Sequence, residues 1–196
     1  MLVVACSSPL AAKEASSAEL ATARRLFAEA TALEASSDWN AAVSKLKSAV
    51  AIKETPGLRY HLAHCEEQLG ALVAASFDYE RAAELIRSGA PAPDVEPLLP
   101  LAQRRIDSRI AKLDIVVPAG TSALAEVDGR SLPRSALGTS LRLDPGPHRV
   151  VVRANGEVDY QVELSLGTGE RRTLKVFFHE ATEAKPSERP RSTALA

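Results

Sequence analysis

Three side chains that could bind a metal or take part in catalysis lie close together in the sequence. They are His61, His64 and Cys65, and histidines three residues apart can share one face of a helix. A zinc site needs three or four ligands, however, and no other His or Cys lies near these residues in the sequence. We therefore expect a buried cysteine beside two partly exposed histidines, with a metal-binding or enzymatic site at these three residues as the alternative.

A cysteine nucleophile would also need a base within reach and a third group that orients the base. One helix cannot place all three groups in that arrangement. The sequence contains no phosphate-binding loop, no G-x-S-x-G motif and no dinucleotide fingerprint. We therefore predict a chain that is not an enzyme, with no catalytic residue, no cofactor, no bound metal and no small-molecule substrate.

Composition limits the class of partner. The chain of 196 residues has a formal net charge of −1, with 45% hydrophobic and 25% charged residues, which is an ordinary globular balance. A nucleic-acid-binding surface would show a basic balance or stripe, so we expect no nucleic-acid partner. No apolar run approaches the roughly 18 residues that a membrane-spanning helix requires.

A pattern repeated after 33 residues organises the first half of the chain. Four positions of the first copy return in the second: Trp39, Ala42, Leu46 and Ala49 correspond to Leu72, Ala75, Tyr79 and Ala82. A period between about 20 and 50 residues indicates stacked supersecondary units. Within each copy the apolar residues follow the spacing of an amphipathic helix. We therefore predict helices paired in two consecutive units, and we expect Trp39 to be a buried anchor.

Local signals divide this region into five helices. Ser16 and Glu19 have the spacing of a capping box, which would begin the first helix. Thr55 and Pro56 match the N-cap and first position of the third helix, because proline lacks the N–H group that a first turn leaves unpaired. The fifth helix is expected to end near Lys112.

Residues 23–86 resemble two tetratricopeptide repeats. The small residue of the repeat pattern, the large residue that opens its second helix and its two later alanines have counterparts in both copies: Ala30, Trp39, Ala42 and Ala49, then Ala63, Leu72, Ala75 and Ala82. The sequence departs from the pattern at Glu54, Arg59 and Glu66, where a proline, a large apolar residue and an aromatic residue are usual. The resemblance implies an antiparallel helical stack that binds a protein or peptide partner.

In that family, ligand peptides lie in a concave groove formed by the first helix of each pair. Carried over by position, the groove residues are Arg24, Phe27, Thr31, Glu34, Gly57, Tyr60, His64 and Glu67. The lysine and asparagine set that binds a carboxy-terminal peptide in that family is absent, so this groove is expected to bind another kind of partner. The alternative is that Phe27 and Tyr60 pack against the N-terminal segment or a neighbouring helix.

The hydrophobic period changes from 3.6 to 2 in the second half of the chain. Five segments are predicted strands, and the clearest alternation is in the fourth: 115–117, 141–143, 150–152, 158–166 and 173–178. The turn sequences Asp128-Gly129 and Asn155-Gly156 favour type I′ hairpins, because both central residues need a positive φ. We therefore predict a small antiparallel β-sandwich.

This half resembles a PEGA-type domain. The matching parts are its first strand, a strand that ends in Asp-Gly, and a Pro-Gly turn followed by valines: residues 113–118, 125–129 and 143–152. The resemblance implies an immunoglobulin-like, non-catalytic binding or spacer module on a bacterial envelope protein, and the pairing with degenerate helical repeats is similar to exported proteins of myxobacteria. The alternative is a glycan- or cell-wall-binding module, although Tyr160, Phe177 and Phe178 offer few rings for sugar stacking.

The N-terminus carries a possible export signal. Cys6 follows a short apolar run and a small residue, which resembles a bacterial lipobox whose cysteine carries lipid after signal cleavage. Because the apolar run is short, a cleaved signal remnant and a disordered start are the alternatives. We predict a protein exported to the periplasm or cell envelope, attached to the membrane only through lipid at Cys6. The predicted α+β organisation has four parts, which are a signal- or lipobox-like segment, a tetratricopeptide-like helical domain, a PEGA-like sandwich and a disordered tail: residues 1–15, 16–112, 113–178 and 179–196.

Overall fold

The structure is a computed structural model that describes residues 15–154 and 159–178. The described residues form five α-helices followed by seven β-strands, so the α+β class expected from the sequence is confirmed. They divide into two compact units. One unit consists of residues up to 110 together with 143–145, and the other consists of residues 111–142 together with those from 146 onwards.

The first unit contains helices that pack against their neighbours along the chain. Their bounds are α1 Ser17–Ala35, α2 Trp39–Ile52, α3 Pro56–Gln68, α4 Leu72–Arg87 and α5 Leu99–Arg109, with a 3₁₀ turn at Glu96–Leu98 before α5. Helix α1 pairs with α2 and α3 pairs with α4, while further contacts join α2 to α3 and α4 to α5. The described helices therefore form stacked pairs, as the repeated pattern predicted.

Side-chain caps determine where the helices begin. The Ser16 side chain accepts a hydrogen bond from the Glu19 backbone N–H at 3.3 Å, and the Glu19 carboxylate accepts one from the Ser16 N–H at 2.7 Å. The Thr55 hydroxyl accepts a bond from the Leu58 N–H at 3.2 Å, with Pro56 at the first helical position. Each cap satisfies a donor that the first turn leaves unpaired. The predicted starts of α1 and α3 are confirmed.

The fifth helix ends earlier than the sequence pattern indicated. Helix α5 stops at Arg109, Ile110 is extended, and the first strand begins at Ala111. The expected end near Lys112 is therefore wrong. The reason is strand pairing, because the Lys112 N–H donates to the Glu170 carbonyl at 2.7 Å.

Small residues at the repeated positions bring the helices close together. The alanines at these positions are fully buried: Ala30, Ala42, Ala49, Ala63, Ala75 and Ala82. Leu46 and Tyr79 are also fully buried, and they fill the space between the alanine contacts. Trp39 is only partly buried against the cluster formed by α1, α2 and α3, so the expectation that it is a buried anchor is wrong.

The strands of the second unit form two sheets. Their bounds are β1 Ala111–Val116, β2 Ala123–Val127, β3 Arg130–Leu132, β4 Ser140–Leu143, β5 Gly146–Ala154, β6 Tyr160–Leu166 and β7 Arg171–Lys175. One sheet has the order β4-β1-β7 and the other has the order β3-β2-β5-β6. Buried residues alternate with more exposed ones along β1 and β2. Each sheet therefore has one buried apolar face.

The sheets are mostly, but not wholly, antiparallel. Strand β2 pairs with β3 and β5, and β5 pairs with β6, all in antiparallel register. Strands β1 and β7 are parallel, with Lys112 opposite Arg171 and Val116 opposite Lys175. The expectation of a wholly antiparallel sandwich is therefore wrong. Parallel neighbours need a long crossover, and the chain between β1 and β7, which includes the other sheet, provides it.

The predicted hairpin turn at Asp128-Gly129 is confirmed. Both residues have positive φ, 51° and 78°, and they connect β2 to β3. The Asp128 side chain also braces β5, since its Oδ1 accepts a bond from the Arg149 N–H at 2.9 Å and its Oδ2 lies 2.7 Å from His148 Nδ1. The second predicted turn, at 155–156, lies outside the described residues.

Candidate functional site

An open cavity of about 410 Å³ lies between the N-terminal halves of α1 and α3. Its lining residues come from α1, the α2–α3 connection and the start of α3: Leu20, Ala23, Arg24, Phe27, Lys53, Thr55, Gly57 and Leu58. The four α1 residues follow the spacing i, i+3, i+4 and i+7, so they share one face of the helix. We call this cavity the α1–α3 groove.

The α1–α3 groove combines an apolar floor with two cationic side chains. Ala23 and Leu58 are buried and Phe27 is partly buried, whereas Arg24 and Lys53 are exposed. None of the lining residues that the structure describes is acidic. The groove can therefore accept an apolar group and favours negative charge beside it.

The expected groove residues fall into two sets. Those that line the cavity are Arg24, Phe27 and Gly57. Thr31 and Glu34 lie farther along α1 and are not among the lining residues, and the Thr31 hydroxyl bonds within its own helix. Sequence reasoning missed the wall that Lys53 and Thr55 form, because these residues belong to a connection rather than to a repeat helix face.

Glu34 links α1 to α3 beside the α1–α3 groove. His61 Nδ1 lies 2.9 Å from one Glu34 carboxylate oxygen, and Cys65 Sγ donates to the other at 3.3 Å. The rings of Phe27 and His61 meet edge to face, with centroids 5.0 Å apart. Glu34 is therefore engaged in an internal contact between two helices.

The three residues singled out for chemistry do not all meet the same neighbours. His64 packs against Trp39 with ring centroids 5.7 Å apart, whereas His61 faces Glu34. Across residues 15–154 and 159–178, no group of three or more His, Cys, Asp and Glu side chains is arranged to hold a metal ion. Cys65 is fully buried, and burial together with the Glu34 carboxylate raises the pKa of its thiol to about 12. A thiol in this state is not a nucleophile at neutral pH.

Tyr60 packs within the helical unit. Its ring centroid lies 5.9 Å from that of His61 and 5.5 Å from that of Tyr79 on α4. The sequence left open whether Tyr60 faces a ligand or a neighbouring helix. The contact with Tyr79 supports the neighbouring helix.

Glu67 was expected to face the groove, and that expectation is wrong because its side chain is buried. Its carboxylate accepts bonds from Arg105 at 2.6 and 2.7 Å, from Arg109 at 2.7 Å and from the Tyr79 hydroxyl at 3.2 Å. Burial alone would raise the pKa of Glu67, but Arg105, Tyr79 and Arg109 together outweigh it, and the pKa lies below its ordinary value. Glu67 therefore ties α3 to α4 and α5.

A set of ion pairs occupies two of the positions where the sequence departs from the tetratricopeptide pattern. Arg59 bonds to Asp78 of α4 and to Glu54, the latter at 2.6 Å. Arg81 of α4 bonds to the other oxygen of Glu54 at 2.6 Å. These pairs join the α2–α3 connection, α3 and α4.

Glu66 is the third position at which the sequence departs from the tetratricopeptide pattern. Its buried carboxylate pairs through one oxygen with Lys47 at 3.1 Å, and its other oxygen has no hydrogen-bond partner among the described residues. Burial, and then the neighbouring Asp78 carboxylate, raise the pKa of Glu66 to about 7, although Lys47 opposes the rise. Glu66 is therefore a structural charge with a perturbed pKa, away from the α1–α3 groove.

Two shallower cavities lie on the second unit beside β5 and β6, with volumes of about 290 and 230 Å³. Their lining residues are mostly polar: Asp128, Pro147, His148, Arg149 and Glu163 in the first, and Arg149, Gln161, Val162 and Glu163 in the second. No described lining residue is Phe, Tyr or Trp, the side chains on which a sugar face usually stacks. This lining gives no support to the glycan-binding alternative.

Comparison with known proteins assigns no family. No protein-family model matches the chain, and no curated protein matches it either. None of the described helices is both long and apolar enough to cross a membrane. The lipidation candidate Cys6 and the predicted tail 179–196 lie outside the described residues.

Proposed function

We propose that this chain is a non-enzymatic scaffold that binds a protein or peptide partner in the α1–α3 groove. The observation that carries the proposal is the groove itself, an open and largely apolar cavity of about 410 Å³ on paired helices. Binding sites are commonly concave, mostly apolar and of this size. The buried thiol of Cys65 and the separated His61 and His64 offer no reactive pair beside the groove, which favours binding over catalysis.

The fixed position of α3 supports a pre-formed binding surface. Helix α3 forms one wall of the α1–α3 groove, and buried charges hold it to three other helices. Glu34 of α1 contacts its His61 and Cys65, Asp78 of α4 contacts its Arg59, and its own Glu67 binds α5. A wall that is already ordered reduces the conformational entropy lost on binding.

The proposal also includes export, on the strength of the sequence resemblances. The tetratricopeptide-like stack would carry the groove, the PEGA-like unit would act as a surface or spacer module, and lipid at Cys6 would attach both to the cell envelope. Intact mass of protein produced in an envelope-bearing bacterial host, from the gene with its upstream in-frame codons restored, tests this part. A diacylglyceryl or triacyl Cys6 start supports it, and an uncleaved chain in the cytoplasm contradicts it.

Gly57 gives a direct test of the groove. A Cβ atom at Gly57 would meet no neighbouring heavy atom within 4 Å, and the residue lies in the first turn of α3. Gly57→Leu should therefore fold while filling the cavity. A photoreactive benzoylphenylalanine at Ala21, an exposed α1 position beside the lining residues Leu20 and Arg24, should crosslink a discrete partner in the native cells. The purified partner should bind Gly57→Leu roughly ten-fold more weakly than the wild type, because the added side chain occupies the cavity.

Ser48, exposed on α2, supplies the matched control. Ser48→Leu adds the same side chain away from the groove and should leave the affinity unchanged, and the photoreactive residue at position 48 should not crosslink the same partner. Equal crosslinking from both positions, or unchanged affinity in Gly57→Leu, would contradict the proposed function.

A further inference from the structure

We propose that the partner segment bound in the α1–α3 groove is acidic, with a large apolar side chain and one or two carboxylates next to it in the peptide. The inference rests on the proposed function, because it names the chemistry of the occupant of the same groove. It follows from the charge and polarity of the lining residues.

The charged residues that line the groove are both positive. Arg24 of α1 and Lys53 of the α2–α3 connection are exposed there, and none of the described lining residues carries a carboxylate. A carboxylate held against the apolar floor would interact with both cations in a cleft where charges are screened less than in open water. Neutral peptides lack that interaction, and basic peptides would be repelled.

Three acidic residues lie close to the groove lining in the chain, and two of them are bonded to cations of the helical unit. Glu54 follows Lys53 in the chain, but its carboxylate is bonded to Arg81 and Arg59, and these guanidiniums hold the pKa of Glu54 at about 2. Glu29 of α1 is likewise paired with Lys45 at 2.7 Å. The third, Glu19 next to Leu20, accepts a bond from the Ser16 N–H at 2.7 Å in the capping box and is not among the lining residues.

The apolar floor defines the rest of the ligand. Leu20, Phe27 and Leu58 surround a space that suits an aliphatic or aromatic side chain, and Gly57 leaves room for a peptide backbone to approach. The chain's own N-terminal residues 1–14 are largely apolar, and their one carboxylate, Glu14, stands next to Lys13, so this segment lacks the net negative charge that the groove favours. A separate acidic partner fits the groove better.

The test is selection of a display library of random eight-residue peptides on the full chain, with Gly57→Leu as the counter-selection. We expect the peptides that depend on an open groove to be enriched in Asp or Glu beside Leu, Ile or Phe. Their affinity should fall as the salt concentration rises, because the carboxylates lie near exposed cations.

Charge reversal gives a result that simple unfolding cannot produce. The same selection on an Arg24→Glu, Lys53→Glu double variant should yield groove-dependent peptides rich in Lys or Arg. Arg25→Glu is the matched control, because Arg25 is the next residue of α1, its side chain is 70% exposed, and it does not line the groove. This control should still select acidic peptides.

The outcomes separate the inference from the function on which it rests. The inference of an acidic partner would be overturned if the groove-dependent peptides were neutral or basic, or if the double variant selected the same peptides as the wild type. In either case the groove-binding function would stand. A selection that yields no peptide sensitive to Gly57→Leu would overturn the proposed function, and the acidic partner with it.

Discussion

Ionisation of Glu66 should destabilise the helical unit as the pH rises from about 4.5 to about 7. The Glu66 side chain is 5% exposed, lies 3.1 Å from Lys47 and leaves one oxygen with no hydrogen-bond partner among the described residues. Burial, and then the Asp78 carboxylate, raise the pKa of Glu66 from 4.5 to about 7 against the opposing effect of Lys47. The thiol of Cys65, next to Glu66, is itself neutral at these pH values. The folded protein therefore holds the Glu66 proton more tightly than the unfolded chain does.

This pKa difference gives both the size and the sign of the effect. A pKa of about 7 in the folded protein, against 4.5 for the ordinary carboxyl, corresponds to roughly 3 kcal/mol of stabilisation by the bound proton. That stabilisation is fully present below the unfolded pKa and is lost as the pH rises through the folded pKa. The free energy of unfolding should accordingly fall most steeply between the two pKa values, from about pH 5 to about pH 7.

Glu66→Gln removes the titration and keeps the size of the side chain. Between about pH 5 and pH 8.5, the wild type should lose up to about 3 kcal/mol of unfolding free energy relative to the variant. At the upper pH the variant should be more stable than the wild type by about 1–3 kcal/mol. The variant avoids the cost of a buried charge and loses only the ion pair with the exposed Lys47, which contributes at most about 1 kcal/mol. Urea unfolding followed by the fluorescence of Trp39, the single tryptophan, measures this for the helical unit.

Glu84→Gln provides the matched control. Glu84 is exposed and paired with Arg81 at 3.0 Å, so its variant should keep the pH dependence of the wild type. All histidines are present in the three proteins, and the difference between them therefore isolates the glutamate. If the stability of Glu66→Gln changes with pH in parallel with that of the wild type, the reasoning from burial is refuted.

Three further changes test other contacts of the helical unit. Tyr79→Ala should lower the unfolding free energy by about 3–5 kcal/mol and Trp39→Ala by clearly less, because Tyr79 is fully buried and Trp39 is not. Circular dichroism in urea measures both losses, and equal losses would contradict this order. Glu67→Gln should cost about 1–3 kcal/mol in the same assay, and an unchanged midpoint would show that the arginine pairs on this buried carboxylate add nothing. In a Cys6→Ala background, iodoacetamide should modify Cys65 on the order of 100-fold faster in urea than in native buffer, and comparable rates would contradict its burial and raised pKa.

Local signals were sufficient to predict where α1 and α3 begin, because a helix cap depends on residues within one turn. Ser16 and Thr55 cap the helices that their spacing indicated. The position of Glu67 could not be predicted in this way. Its partners Arg105 and Arg109 lie 38 and 42 residues further along the chain, and no local pattern indicates which distant side chains meet.

The sequence predicted one wall of the α1–α3 groove and missed the other. Arg24 and Phe27 were identified because residues on one helix face can be read from their spacing. Lys53 and Thr55 lie on a connection whose path depends on how α2 packs against α3, which the spacing does not reveal. The parallel pairing of β1 with β7 was missed for a similar reason, since alternation of apolar residues is the same in either strand direction.

The departures from the tetratricopeptide pattern bear on the charge of the groove. Where the pattern has a proline, this chain has Glu54, and where it has a large apolar residue, this chain has Arg59. Together with Arg81 these residues form ion pairs that keep the Glu54 carboxylate on α3 and α4 and out of the groove lining. Lys53, the preceding residue, then contributes its positive charge to the groove without an adjacent negative charge to offset it. The ion pairs at Glu54 and Arg59 are therefore part of the reason for the proposed preference for an acidic partner.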